Sequence, residues 1–292
     1  IKRLDELIEP KLASRARAVR GRRLLPLPVI AQQIAEAQIA LIADRERTAT
    51  RKNHRMERYL EQSFLPDQKD LFCTDLPTRP LSGNVKILVT GASGYIGGRL
   101  IRELHARGYQ VRVMVRDSAF LHHNLWPDAE VAIADALQYE TLESALNGIH
   151  SAFYLIHSLL LGPQDFHGAD NHAAHNFMRA AEENNVKRII YLGGLGDVTT
   201  KLSDHLRSRI QVAEELKKGI VPVTVLRAAI IIGSGSASYE IIKHIVKKIP
   251  VINVPKWANT RCQPIAIRDV IKYLVGCLET PTTSGKSFDI GG

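Results

Sequence analysis

The chain has 292 residues, 45% hydrophobic and 24% charged, with a formal net charge of +9. That is enough to bury one large core, or one core with an appendage, and the balance is that of a globular protein. No apolar run reaches the ~18–20 residues of a membrane-spanning helix, and three scattered cysteines support neither a disulfide framework nor a zinc knuckle.

Residues 1–83 hold 16 of the 39 Lys and Arg and 11 of the 30 Asp and Glu. The basic stretch Lys11–Arg23 has the charge to grip nucleic acid, anionic lipid or an acidic protein face, but it lacks the stacking aromatics of single-strand binders, so a solvated arm is expected over a nucleic-acid site, with a protein partner for residues 1–83 as the docking alternative. Its arginines also hint at an organelle-targeting remnant, although Asp5, Glu6 and Glu9 precede them. Cytoplasm is the default location and an organelle matrix the alternative. Since the sequence opens at Ile1, residues ahead of it are expected to have been removed or to lie outside it. Ile34, Ala37, Gln38 and Leu41 fall at helical offsets and predict a long helix from after Pro28 toward Tyr59. Pro66, Pro77, Pro80 and Gly83 then mark a linker. The reading is a basic, largely helical N-terminal extension over 1–83, followed by a second domain over 84–292.

From Val85 onward, short β-rich runs alternate with helical segments. The strands are expected at Lys86–Thr90, Gln110–Val115, Glu130–Ala134, Ser151–Ile156, Arg188–Leu192 and Val223–Leu226. The helices are expected at Tyr95–Arg107, Tyr139–Leu146, Ala169–Asn184 and Asp204–Lys217. This alternation predicts an α/β fold, a Rossmann-type doubly wound parallel sheet, with a small C-terminal substrate lobe.

The first strand runs directly into Gly91-Ala92-Ser93-Gly94-Tyr95-Ile96-Gly97, which opens a helix. Glycines here permit a tight turn, close approach of backbone to a pyrophosphate, and close helix–strand packing. The helix start offers N–H groups and a partial positive charge. Ser93, Gly94, Tyr95 and Ile96 therefore join Gly91 and Gly97 as candidate cofactor contacts. The second strand ends in Arg116, where an acid would select NAD and an arginine accommodates the 2′-phosphate of NADP. NADP(H) is expected over NAD(H), with Arg99 as a second candidate and Asp117 as the competing acid. His157, after the fourth strand, is a candidate for lining the nicotinamide pocket. Gly233–Ser236 is expected to form a lip over the cofactor.

With Thr90 the loop reads T-G-x-x-G-x-x-G, which resembles extended and atypical short-chain dehydrogenases/reductases. Ile87–Leu100, Asn171–Phe177, Arg188–Leu195, Leu226–Gly233 and Gln263–Val270 together resemble the NmrA-like, NAD(P)H-binding branch of that family. The resemblance covers residues 85–292 and leaves 1–83 outside. It implies that Asp135 and Ala136 face the adenine edge, although Asp135 by itself reads equally as a helix N-cap. Relatives also continue past Gly292, so part of a substrate lid is expected there.

Active members of the wider family pair a Ser or Thr after the fifth strand with a Y-x-x-x-K motif on the next helix. Here Gly193 or Gly194 stands at the hydroxyl position, and His205 and Arg209 occupy the Tyr and Lys positions. Residues four apart share a helix face. His205 is thus the candidate for proton transfer and Arg209 for positioning the ribose. The expected activity is an NADP(H)-dependent oxidoreductase or isomerase on a small carbonyl or hydroxyl substrate. The alternative is a non-catalytic redox sensor, or a structural subunit of a larger complex, like the accessory short-chain-reductase-like subunit of respiratory complex I. No metal site is expected, since His172 and His175 make an H-x-x-H pair without a firm third ligand.

Overall fold

A computed structural model describes residues 72–116, 125–156, 166–195, 204–236, 239 and 263–291. The chain divides into two compact units, Leu65–Gly233 with Gln263–Gly292, and Ile1–Phe64 with Ser234–Cys262. The second unit lies almost wholly outside the described residues, and with it the expected helix toward Tyr59 and most of the expected C-terminal lobe.

The first unit is built on β1 (Lys86–Thr90), β2 (Gln110–Val115), β3 (Glu130–Ile133), β4 (Ser151–Tyr154), β5 (Arg188–Gly194), β6 (Val223–Ala228) and β9 (Ser287–Ile290). They form one sheet in the order β3-β2-β1-β4-β5-β6-β9, and every neighbouring pair is parallel. The helices are α1 (Tyr95–Ala106), α2 (Tyr139–Leu146), α3 (Phe166–Glu183), α4 (Asp204–Leu216) and α5 (Ile267–Glu279). A short parallel pair, β7 (Ile231–Ile232) with β8 (Ile265–Ala266), stands apart from the main sheet.

The strands are apolar on both faces because both are covered. Ile87, Val89, Phe153, Ile190, Leu192 and Leu226 point into a core shared with α1 and α5. Their neighbours Leu88, Ala152, Tyr154, Ile189, Tyr191 and Val225 point into a second core with α2, α3 and α4. Alternation along each strand thus sends successive side chains into two separate interiors. In the second, the Tyr154 and Phe177 rings meet edge to face with centroids 4.9 Å apart.

Polar side chains lock the layers together. Arg188 reaches from the start of β5 to Thr224 Oγ1 (2.6 Å), Cys277 O (2.6 Å) and Thr283 Oγ1 (2.5 Å). Arg112 donates to the α2 carbonyls of Ala145 (3.0 Å) and Ser144 and to Asn147 O (2.7 Å), where a cation complements the helix C-terminus. Residues 72–83, expected as linker, are tied to α1 and α5. The fully buried Glu279 carboxylate accepts from Thr78, Arg107 and Tyr109. Glu103 accepts from the Cys73 N–H, and Asp75 pairs with Arg268.

Candidate functional site

Parallel strands leave an opening where neighbouring connections run to opposite faces, and in this strand order that point lies between the carboxyl ends of β1 and β4. Thr90 closes the base of the opening. Its hydroxyl donates to Phe153 O (3.1 Å) and accepts from the Leu155 N–H (2.9 Å).

Gly91 then turns the chain with φ +63°, and a Cβ there would lie 2.7 Å from Leu155 O. A Cβ at Gly97 would lie 2.3 Å from Gly91 O and 3.0 Å from the Ala92 Cα. Both positions therefore demand glycine, one for φ and proximity, the other for proximity alone. Gly94 donates to Gly91 O (2.9 Å) and caps α1 in an extended conformation with no side-chain cap. Ser93 and Gly94 are exposed at the opening, while Tyr95 and Ile96 are half-buried. A turn of this shape with an uncapped helix start suits a pyrophosphate, so the residues present fit a dinucleotide.

Arg116 stands exposed just past β2. The Arg99 guanidinium lies 4.0 Å over the Tyr95 ring and donates to Tyr95 O (3.0 Å), and the side chain lines a small cleft with Phe72, Arg102 and Arg268. Asp135 Oδ1 accepts from the Leu137 N–H (3.0 Å), which makes a local turn, and the residue capping α2 is Gln138. Ala136 is buried, and its carbonyl accepts from Asn176 Nδ2 (3.0 Å). His157 and Asp117 lie outside the described residues. In the expected lip, Gly233 passes close to the phosphate loop, since a Cβ on it would fall 2.3 Å from the Tyr95 hydroxyl.

At the end of β5, Gly193 and Gly194 leave the hydroxyl position without a side chain. A Cβ at Gly194 would meet Leu206 Cδ2 at 2.8 Å and Arg209 Cδ at 3.2 Å, so α4 packs directly on the glycine. Arg209 donates to Leu192 O (2.6 Å), and its Nε is buried without a hydrogen-bond partner among the described residues. His205 belongs to α4, one turn before Arg209, but its side chain lies outside the described residues. Tyr191, which the sequence reading did not single out, donates its hydroxyl to Arg209 O (3.1 Å). Burial pushes Tyr191 up to about 12, so it anchors α4 as a neutral phenol.

Among the described residues no group of three His, Cys, Asp or Glu could hold a metal ion, and no helix is long and apolar enough to cross a membrane. His175 instead contacts Glu215 (2.9 Å), and His172 is exposed.

The family model for NAD(P)H-binding proteins matches residues 91–245. The chain is 24% identical over 212 residues to "NADH dehydrogenase [ubiquinone] 1 alpha subcomplex subunit 9, mitochondrial" of Arabidopsis thaliana, covering 70% of this chain and 53% of that one. It is also 24% identical to "Divinyl chlorophyllide a 8-vinyl-reductase, chloroplastic" of Zea mays, covering 74% of this chain and 57% of that one. It thus spans little more than half the length of these relatives. Among solved structures, a nucleoside-diphosphate-sugar epimerase from Staphylococcus aureus superposes with a TM-score of 0.60 at 18% identity, covering 71% of each chain. That likeness shows the same fold.

Proposed function

The chain belongs to the NAD(P)H-binding family as an atypical short-chain dehydrogenase/reductase, and from that membership we propose that it binds NADP(H) and acts as an oxidoreductase or isomerase on a small carbonyl or hydroxyl substrate. The observation that carries this reading is the pair of filled Cβ positions at Gly91 and Gly97, which brings backbone N–H groups to the opening between β1 and β4. Arg116 would take the 2′-phosphate, Asp135 and Ala136 the adenine edge, and Gly193 with His157 the nicotinamide side. When bound, NADPH supplies a hydride. His205 would hold the proton for the substrate oxygen, because histidine exchanges protons near neutral pH. Arg209 would act as a positioning residue.

A second reading, binding without turnover as a redox sensor or docked subunit, is favoured by Arg209. Its guanidinium is engaged by Leu192 O, and α4 closes over Gly194 where a catalytic hydroxyl would stand. The first reading parallels the relative named as a reductase and the second the relative named as a dehydrogenase subunit. Both relatives carry organelle names, so an organelle matrix is the compartment proposed, with residues 1–83 as the protein-docking arm.

Calorimetry with NADPH and NADH, followed by NADPH oxidation across an aldehyde panel, tests these readings. Turnover abolished by His205→Ala supports the oxidoreductase. Tight NADPH binding without turnover, with co-purifying partners lost on deleting residues 1–80, supports the subunit. Failure of folded protein to bind either nucleotide refutes both.

A further inference from the structure

A cleft of about 580 Å³ lies between α5 and the edge strand β9, within the size range of small-molecule sites. Its floor is Leu226, Phe288 and Ile290, whose side chains face the core shared with α1 and α5. Tyr273, 44% exposed, and Gly276 belong to the α5 wall. From Asp269 at one end of the cleft to Thr280 at the other, the helix rises about 16 Å. Spread over that length, the volume leaves room for a chain about 6 Å across. The dinucleotide opening is separate, since β9 stands three strands from β4, about 14 Å across the sheet.

Gly276 is not explained by the fold. Glycine is the least favourable residue after proline inside a helix. Gly276 sits inside α5 without a positive φ, and a Cβ on it would meet Leu76 Cδ1 at 3.7 Å and nothing else within 4 Å. Among the described residues, then, nothing excludes a side chain there. What the glycine does is hold the α5 wall open opposite Phe288.

The charges on the rim cancel. Asp75 pairs with both Lys272 (2.5 Å) and Arg268 (2.8 Å), and Asp269 in the first turn of α5 supplies the second negative charge on that side. Asp289 lies 2.5 Å from Arg227 Nε. An ion entering this cleft would lose water without meeting a net opposite charge. An uncharged apolar molecule bears no such cost, and covering the Tyr273 and Phe288 rings favours it.

We infer that the cleft between α5 and β9 binds an elongated, uncharged apolar molecule, an alkyl or isoprenoid chain without a charged head group. This site lies outside the dinucleotide opening and does not depend on the proposed reaction.

The test uses the full chain and Nile red, an uncharged apolar dye, displaced in turn by decanol, decanoate and decylammonium. The three share one chain length and differ in charge. Nile red fluorescence is expected to rise on binding, and decanol to displace the dye at least about tenfold more tightly than either ion. NADPH is expected not to compete. Gly276→Leu puts a side chain into the cleft where leucine is the better helix former. It is expected to raise the unfolding midpoint, keep NADPH affinity and weaken decanol at least about tenfold. Tyr273→Asp, at an exposed position, is expected to weaken decanol similarly, and it decides the matter if Gly276→Leu fails to fold. No displacement by decanol, equal displacement by all three probes, competition by NADPH, or parent-like decanol binding in either folded variant would overturn the inference. So would a parent that sediments as a dimer beside a monomeric Gly276→Leu, because a second copy would then fill the cleft.

Discussion

Replacing Gly97 with alanine places a methyl group 2.3 Å from the Gly91 carbonyl oxygen and 3.0 Å from the Ala92 Cα. Ordinary carbon–oxygen approach is about 3.3–3.6 Å, so the turn must retreat from α1 by about 1 Å. The free protein can relieve the contact by moving Gly91 and Ala92 outward. Holding a pyrophosphate requires the same backbone to return. Overpacking strain of this kind is about 1–3 kcal/mol, which corresponds to roughly 5- to 150-fold in affinity if it falls on the bound state. Calorimetric titration of NADPH into Gly97→Ala measures it directly. Gly148→Ala is the control, since Gly148 has a positive φ (+72°), which Gly97 lacks, but nothing within 4 Å of its Cβ position. It is expected to lose stability without losing NADPH affinity. If folded Gly97→Ala bound NADPH like the parent, the close approach at the loop would have no bearing on the nucleotide.

Arg116→Ala is expected to weaken NADPH binding about tenfold while leaving NADH unchanged, because an exposed guanidinium contributes at the low end of charged hydrogen bonds; equal losses for both nucleotides would remove its role in selection. Gly194→Ser is expected to lower the unfolding midpoint in urea without raising NADPH oxidation, since the new side chain collides with Leu206 and Arg209. A gain of turnover would show that α4 can yield. Burial, the largest influence on each, pushes Cys73 from 9.0 to about 11, and Tyr109 and Tyr191 from 10.0 to about 12. All three favour the protonated form in the folded state, so the stability they contribute is complete below pH 9 and is lost as pH rises to about 12. Denaturation curves between pH 8 and 11 should show that decline, and a flat profile would contradict it.

The phosphate loop was legible because a strand, three spaced glycines and a helix leave little freedom in how the backbone turns. The core strands were legible for a related reason: runs such as Ile189–Leu192 are apolar without interruption only where both faces are covered. Strand ends were less so, and β5 and β6 each run two residues beyond the expected limit, through Gly194 and Ala228. The signal for α5 lies in the spacing of Ile267, Val270, Ile271, Leu274, Val275 and Leu278, which is helical and wholly buried but follows no strand of the regular alternation. Arg99 could not be placed from sequence, because whether it faces Arg116 or Arg268 depends on how α1 rotates against α5. Nor could Arg227, whose neighbours Gly193 and Asp289 are brought together only by register across strands far apart in the chain.

The Glu279 carboxylate gathers Thr78 from ahead of the sheet, Arg107 and Tyr109 from after α1, and its own helix close to the last strand. Thr78 cannot peel away without uncovering that buried carboxylate and breaking two bonds at once, its own hydroxyl to Glu279 and the Arg107 guanidinium to its carbonyl. The backbone amides around Thr78 should therefore exchange with deuterium on the slow timescale of whole-molecule unfolding, not at the rapid rate usual for a segment outside regular secondary structure.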